Sequence, residues 1–140
     1  MYDIALEFIK IAHKGQVDKS GNEYYIHPLT VSLILPRKYF EVGGVVALLH
    51  DVLEDTKYTA ENLLAMGFSK EVVDAVVLVS KLDKNITYID WIRKIKESGN
   101  EIAIQVKIAD LQHNSDPTRM VPGAEKLLKR YESALEILMT

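Results

Sequence analysis

The sequence contains no cysteine among its 140 residues. Disulfide bonds and thiolate metal sites are therefore excluded, and a chain without thiols is typical of a reducing compartment, so we expect a cytoplasmic location. No apolar stretch is long enough to span a bilayer, and the first ten residues, "MYDIALEFIK", lack the basic start and apolar run of a secretion signal. We therefore expect no membrane association.

An excess of positive charge is also missing. The 17 lysines and arginines are outnumbered by 20 acidic residues, which gives a formal net charge of −3. This balance argues against a nucleic acid polymer as partner, although a locally positive pocket for a small anionic molecule is compatible with it. Hydrophobic residues, in contrast, make up 48% of the chain, enough to form the core of a folded protein of this length.

Apolar residues recur at helical spacing along almost the whole chain, which predicts an all-α fold and a single domain over residues 1–140. Thr59 is a suitable N-cap, and Ser69 precedes a segment rich in β-branched residues, "EVVDAVVLVS". We predict a helix there rather than a strand, because of its length and its helical neighbours. The glycine pair Gly43-Gly44 is expected to loosen the start of a helix that continues to about Glu54.

The segment "ALLHDVLEDT" places four titratable side chains in an apolar context. On a continuous helix, His50 lies beside Glu54, and Asp51 lies beside both Glu54 and Asp55. Three of the four groups are negative at neutral pH and repel one another unless a cation offsets their charge. A divalent metal resolves this conflict, because it accepts neutral imidazole and carboxylate together.

Further ligands must come from elsewhere in the chain, and the best candidates are His27, before a proline, and Asp110, inside an apolar run. Each has a structural alternative: His27 as a helix cap, and Asp110 as the partner of Lys107. Two imidazoles and two carboxylates suit manganese, iron, zinc or magnesium. Such a metal activates water and a phosphoryl oxygen, which leaves Glu54 and Asp55 as acid and base beside it.

Three separated blocks, "AHKGQVDKSGNEYYIHP", "LLHDVLEDT" and "VKIADLQHN", occur in order along the chain. Together they resemble the HD-domain metal-dependent phosphohydrolases, and among these the alarmone hydrolases: the hydrolase half of the bifunctional stringent-response enzymes and their small stand-alone relatives. The resemblance extends from about residue 5 to about residue 115.

This resemblance implies a helical HD-domain bundle, one divalent ion, usually manganese, and removal of the 3′-pyrophosphate from guanosine tetra- or pentaphosphate. It also implies roles for individual residues. The implied metal ligands are His27, His50, Asp51 and Asp110; the implied catalytic pair is Glu54 and Asp55; the implied substrate-binding residues are Lys19, Asn114 and Tyr131.

One position departs from the family pattern. The family has an arginine that packs on the guanine base immediately before the lysine of the first block, whereas this chain has Asp18 before Lys19. An anion near a polyphosphate is expected to weaken binding. Two alternatives therefore stay open: the same chemistry on another nucleotide, such as a deoxynucleotide monophosphate or NADPH, and a metal-dependent nucleotide-binding module without turnover.

The remaining polar residues near the blocks are given structural roles. We expect His13 to order its loop through a backbone group and His113 to lie at the rim of the site or in solvent, neither of them as a metal ligand. Asp116 and Arg119 have the spacing of a local ion pair. The apolar stripe that contains Trp91 is interpreted as core.

Overall fold

The computed structural model describes residues 1–140, and it confirms the predicted all-α fold. Two 3₁₀ turns, Arg37–Tyr39 and Pro117–Arg119, and one isolated antiparallel bridge between Val17 and Glu23 complete the structure. The helices are α1 (Tyr2–Ala12), α2 (Ile26–Ile34), α3 (Phe40–Leu49), α4 (Val52–Asp55), α5 (Ala60–Ala65), α6 (Lys70–Val79), α7 (Tyr88–Glu97), α8 (Glu101–Asn114) and α9 (Glu125–Met139).

Side-chain caps start several of these helices where the sequence indicates. The Thr59 hydroxyl accepts a hydrogen bond from the Asn62 backbone N–H, and the Thr59 backbone N–H donates to Asn62 Oδ1, which forms a capping box at α5. The Ser69 hydroxyl caps α6 by accepting a hydrogen bond from the Val72 backbone N–H, and the β-branched segment is helical, as predicted. None of the helices combines the length and the apolar character that crossing a bilayer requires.

Helix α3 is the centre of the molecule and packs against α1, α2, α6 and α8. The prediction that Gly43-Gly44 lies at the start of this helix is wrong, because α3 begins at Phe40 and both glycines are buried inside it. A Cβ on Gly44 would lie 3.3 Å from the Phe40 ring, and one on Gly43 would lie 3.4 Å from Leu35. The glycines therefore allow close packing around the central helix. Trp91 is buried in the surrounding core, as predicted.

The predicted continuous helix from Val45 to Glu54 is interrupted at His50 and Asp51. Helix α3 ends at Leu49, and the single turn of α4 begins at Val52. Adjacent side chains on a regular helix diverge by about 100°. The interruption instead lets His50 Nε2 and Asp51 Oδ2 approach to 3.1 Å, so the two neighbouring residues face the same point.

Candidate metal centre and adjoining cavity

The four predicted metal ligands converge from three parts of the chain. Donor atoms of His27, His50 and Asp51 all lie within 4.8 Å of one another. Asp110 joins them from α8, with its Oδ1 2.8 Å from His27 Nε2 and 3.3 Å from His50 Nε2. Both histidines and Asp110 are buried, and Asp51 is nearly so. The structure thus brings together two nitrogen and two oxygen donors at one buried point.

The hydrogen bonding of His50 leaves one lone pair directed into this cluster. Its Nδ1 donates to the Ala47 carbonyl at 2.6 Å, which leaves Nε2 as the unprotonated nitrogen of the neutral ring. Nε2 is buried, has no hydrogen-bond partner, and faces the carboxylates of Asp51 and Asp110. A lone pair facing two anions is stable only with a proton or a metal cation between them, so the residues fit a divalent ion.

The pKa values of the cluster reflect this crowding. Burial alone would lower the pKa of His50, but the carboxylates of Asp51 and Asp110 outweigh it and raise that pKa well above its ordinary value. Burial would raise the pKa of Asp110, but Lys107 and His50 hold it well below the usual range. The carboxylates are therefore ionised, and the site attracts positive charge.

His27 is oriented by a residue that the sequence interpretation placed at the rim. The His113 ring stacks on His27 at 5.0 Å between centroids, and the two Nδ1 atoms lie 2.7 Å apart. Burial and the neighbouring His27 lower the pKa of His113 to about 4, so its ring is neutral and its Nδ1 can accept. The His27 tautomer that donates to His113 through Nδ1 keeps its Nε2 lone pair for the cluster. His113 is half-buried, and its structural role was missed.

Asp110 is held from its other side by Lys107. The Lys107 ammonium is buried and lies 2.7 Å from Asp110 Oδ2, with the Trp91 ring 4.6 Å from it. The ligand role and the structural ion pair, treated as alternatives for Asp110, are thus compatible, because each uses a different oxygen. The pair fixes the carboxylate with Oδ1 directed to the histidines.

Tyr24 contributes a contact that sequence analysis did not single out. Its hydroxyl donates to Asp51 Oδ2 at 2.7 Å, and its ring also lines the cavity described below. Burial and the Asp51 carboxylate raise the pKa of Tyr24, so the hydroxyl keeps its proton as a donor. A tyrosine three residues before the "HP" dipeptide in the first block was the available signal.

Glu54 and Asp55 lie on α4, beside the cluster rather than within it. The Lys81 backbone N–H donates to Glu54 Oε1 at 2.6 Å. Partial burial, together with the negative charge of Asp51, raises the pKa of both carboxyl groups above their ordinary values. A raised pKa suits groups that exchange protons near neutral pH.

The loop after α1 is fastened to α4 by side chains. His13 is buried, and its Nδ1 lies 3.0 Å from Gln16 Oε1, so it orders the loop through a side chain rather than through the expected backbone group. The Gln16 amide in turn donates to the Asp55 carbonyl at 3.0 Å. This contact sets the position of the loop that carries Lys19.

The three predicted substrate-binding residues, Lys19, Asn114 and Tyr131, line one cavity of about 290 Å³. Apolar side chains from the segment after α8 and from α9 form much of its wall. The cavity is linked directly to the metal centre, because the Asn114 amide donates to Asp110 Oδ1 at 3.1 Å.

Arg119 lines the same cavity and pairs with Asp18 rather than with Asp116. The predicted local ion pair is therefore wrong: Asp116 caps the 3₁₀ turn by accepting from Thr118, and Arg119 Nη1 lies 3.2 Å from Asp18 Oδ2. Asp18 is therefore not the free anion that the sequence interpretation assumed.

Comparison with known proteins places these features in a family, although no family model matches the chain. It is 34% identical over 141 residues to a probable GTP pyrophosphokinase of Mycobacterium leprae, covering 96% of this chain and 18% of that protein. It is 38% identical over 112 residues to the guanosine-3′,5′-bis(diphosphate) 3′-pyrophosphohydrolase of Haemophilus influenzae, covering 74% and 16%. The bifunctional (p)ppGpp synthase/hydrolase SpoT of Escherichia coli is 35% identical over 113 residues, with the same shares.

The chain spans less than a fifth of the length of these relatives. A solved structure of a metazoan ortholog of SpoT that hydrolyses ppGpp has the same fold, with a TM-score of 0.75 and 24% identity. The alignment covers 98% of this chain and 84% of that one. On sequence and fold together, the chain belongs to the HD-domain phosphohydrolases related to the alarmone hydrolases of stringent-response enzymes.

Proposed function

We propose that this chain is a metal-dependent phosphohydrolase that removes the 3′-pyrophosphate from guanosine tetra- or pentaphosphate, acting in the cytoplasm as one domain over residues 1–140. The observation that carries the proposal is the buried, unpartnered Nε2 of His50 between two carboxylates. The names of the relatives, which describe synthesis and hydrolysis of this class of nucleotide, support it.

In this proposal His27, His50, Asp51 and Asp110 hold one divalent cation, with manganese as the first metal to test. The chemistry that such a cation supplies is polarisation of a phosphoryl oxygen and a lowered pKa for water. His113 keeps the His27 lone pair available, and Lys107 keeps Asp110 oriented, so the chain presents its donors already arranged.

Glu54 and Asp55 are proposed to handle the protons of the reaction. Their raised pKa values allow one to take a proton from the water that attacks the phosphorus, and the other to protonate the ribose 3′ oxygen as its bond to that phosphorus breaks and pyrophosphate is released. Lys19 offsets substrate charge at the mouth of the cavity, and Asn114 and Tyr131 contact the nucleoside.

The direct test combines metal analysis of the purified chain with identification of the products from ppGpp. The proposal expects GDP and pyrophosphate from the manganese-loaded protein, and loss of both retained metal and turnover in His50→Ala. Asp51→Asn should behave in the same way, with Asp74→Asn, an exposed acid on α6, as the matched control. Full turnover in His50→Ala would reject the proposal.

The same assay decides between the alternatives. A deoxynucleotide monophosphate or NADPH turned over in place of ppGpp would retain the metal chemistry and replace the substrate. Metal-dependent nucleotide binding with no product after long incubation would identify a binding module.

A further inference from the structure

The cavity next to the metal centre contains a partly buried ion pair that the proposed chemistry does not use. Two cations, Lys19 and Arg119, line this cavity. Lys19 is exposed, whereas the Arg119 side chain is only 18% exposed and that of Asp18 only 8%. Removing charged groups from water costs free energy, so the placement of this pair in a candidate ligand cavity favours a role in binding.

Asp18 is saturated by contacts with the protein. Its Oδ1 accepts from the backbone N–H groups of Ser20 and Asn22 at 2.9 and 3.0 Å, and its Oδ2 faces Arg119. These bonds and the arginine hold the pKa of Asp18 below its ordinary value against the effect of burial. The carboxylate is therefore ionised and already paired with Arg119, although Asp18 also lines the cavity.

Arg119 connects the ion pair to the metal centre. Its Nη1 contacts Asp18, its Nη2 lies 3.4 Å from Asn114 Oδ1, and Asn114 donates in turn to Asp110. The Arg119 Nε is buried and has no hydrogen-bond acceptor, so one donor of the guanidinium is unsatisfied by the protein. The guanidinium is thus fixed across the cavity by groups on both sides.

We propose that Arg119 is the nucleotide-binding cation of this cavity and that Asp18 is its positioning residue, so that the two act as one unit. This inference rests on the proposed function for the class of ligand, a guanosine nucleotide. Arg119 lies in the segment after α8, and Asp18 on the 13–25 loop holds it in place. Arg119 therefore supplies the positive charge that the family pattern has at position 18, from a position 101 residues later.

The proposal makes an unusual prediction for Asp18→Asn. The asparagine oxygen still accepts from Ser20 and Asn22, but its amide no longer attracts Arg119. If Asp18 were only a repulsive anion, this change would tighten nucleotide binding; as a positioning residue, its loss weakens binding about three- to tenfold.

The experiment measures the dissociation constant of GDP by calorimetry with the manganese-loaded chain and its variants. Arg119→Gln should weaken binding about tenfold, and the double variant should be no weaker than Arg119→Gln alone, because the two residues share one effect. Arg93→Gln, which breaks the exposed pair with Asp90 on α7, is the matched control and should bind GDP normally.

Tighter binding by Asp18→Asn, additive effects in the double variant, unchanged binding by Arg119→Gln, or no GDP binding by the parent chain would each overturn the proposal. Hydrolysis of ppGpp by the parent chain separates the two hypotheses. If the parent chain hydrolyses ppGpp and Arg119→Gln binds GDP normally, the role of Arg119 is rejected and the hydrolase proposal is left intact.

Discussion

The metal centre and the cavity beside it differ in how their charged groups are paired. In the metal centre, Asp51 and Asp110 face histidine nitrogens, and the site retains a place for a cation. In the cavity, Asp18 is neutralised by Arg119 within the protein itself. The difference shows that an acidic residue indicates metal binding only when its partners in the fold are known, because the sequence alone does not distinguish a metal ligand from a member of an ion pair.

The largest expected effect concerns Lys107, which pairs with Asp110 in the metal centre as Arg119 pairs with Asp18 in the cavity. Lys107→Met keeps the contact with Trp91 but leaves Asp110 without its buried cation. We therefore expect the free energy of unfolding of the metal-free protein to fall by about 3 kcal/mol. Urea unfolding measures this loss. Added Mn²⁺ should restore part of the stability, because a bound ion offsets the same carboxylate.

Lys70→Met is the matched control for this prediction. Lys70 and Asp74 lie 2.7 Å apart, as do Lys107 and Asp110, but on the exposed surface of α6. Loss of the Lys70–Asp74 pair should lower the free energy of unfolding by no more than about 0.5 kcal/mol. Equal losses in the two variants would show that burial of the Lys107 pair is unimportant, and the contrast between the regions would fail.

A smaller effect is expected at His113, which supports the metal centre without belonging to it. His113→Phe keeps the stack on His27 but removes the acceptor for its Nδ1 proton, so Mn²⁺ affinity should fall about 10- to 100-fold. His113→Asn restores an acceptor and should recover part of the affinity. Calorimetric titration of the metal checks both variants, and an unchanged affinity in His113→Phe would contradict the assigned orientation of His27.

The smallest effect is expected at Glu54, which lies beside the metal centre. The pKa of Glu54 is raised in the folded protein, so its contribution to stability is present below the unfolded pKa, about 4.5, and is lost as the pH rises through the folded pKa. Glu54→Gln avoids this loss. Its Tm relative to the parent should therefore increase by about 1 to 3 °C between pH 4 and pH 7 in the metal-free protein. A difference that does not change with pH would contradict the raised pKa.

Local features of the sequence were sufficient to predict most helices and the convergence of the four donors. Helical periodicity and the caps at Thr59 and Ser69 are encoded within a few residues. The donors were recognisable because His50 and Asp51 occur as charged neighbours inside an apolar run, where few other roles are available. Their ligand role stays a prediction until metal is measured.

The features that sequence reasoning missed depend on contacts between distant residues. No pattern near Arg119 indicates that its partner is Asp18, and the nearer Asp116 was the natural candidate on spacing alone. The interruption at His50 is likewise unmarked by any glycine or proline in the segment "ALLHDVLEDT".

The hydrogen bond from Asn114 to Asp110 connects the cavity to the metal centre, so we expect binding at the two regions to be coupled. A ligand that engages Arg119 and Asn114 also alters the carboxylate that faces the cation, and linkage requires the influence to be mutual. Under the proposed function, we therefore expect the concentration of free divalent metal to change the nucleotide affinity, and bound nucleotide to change the affinity for the metal.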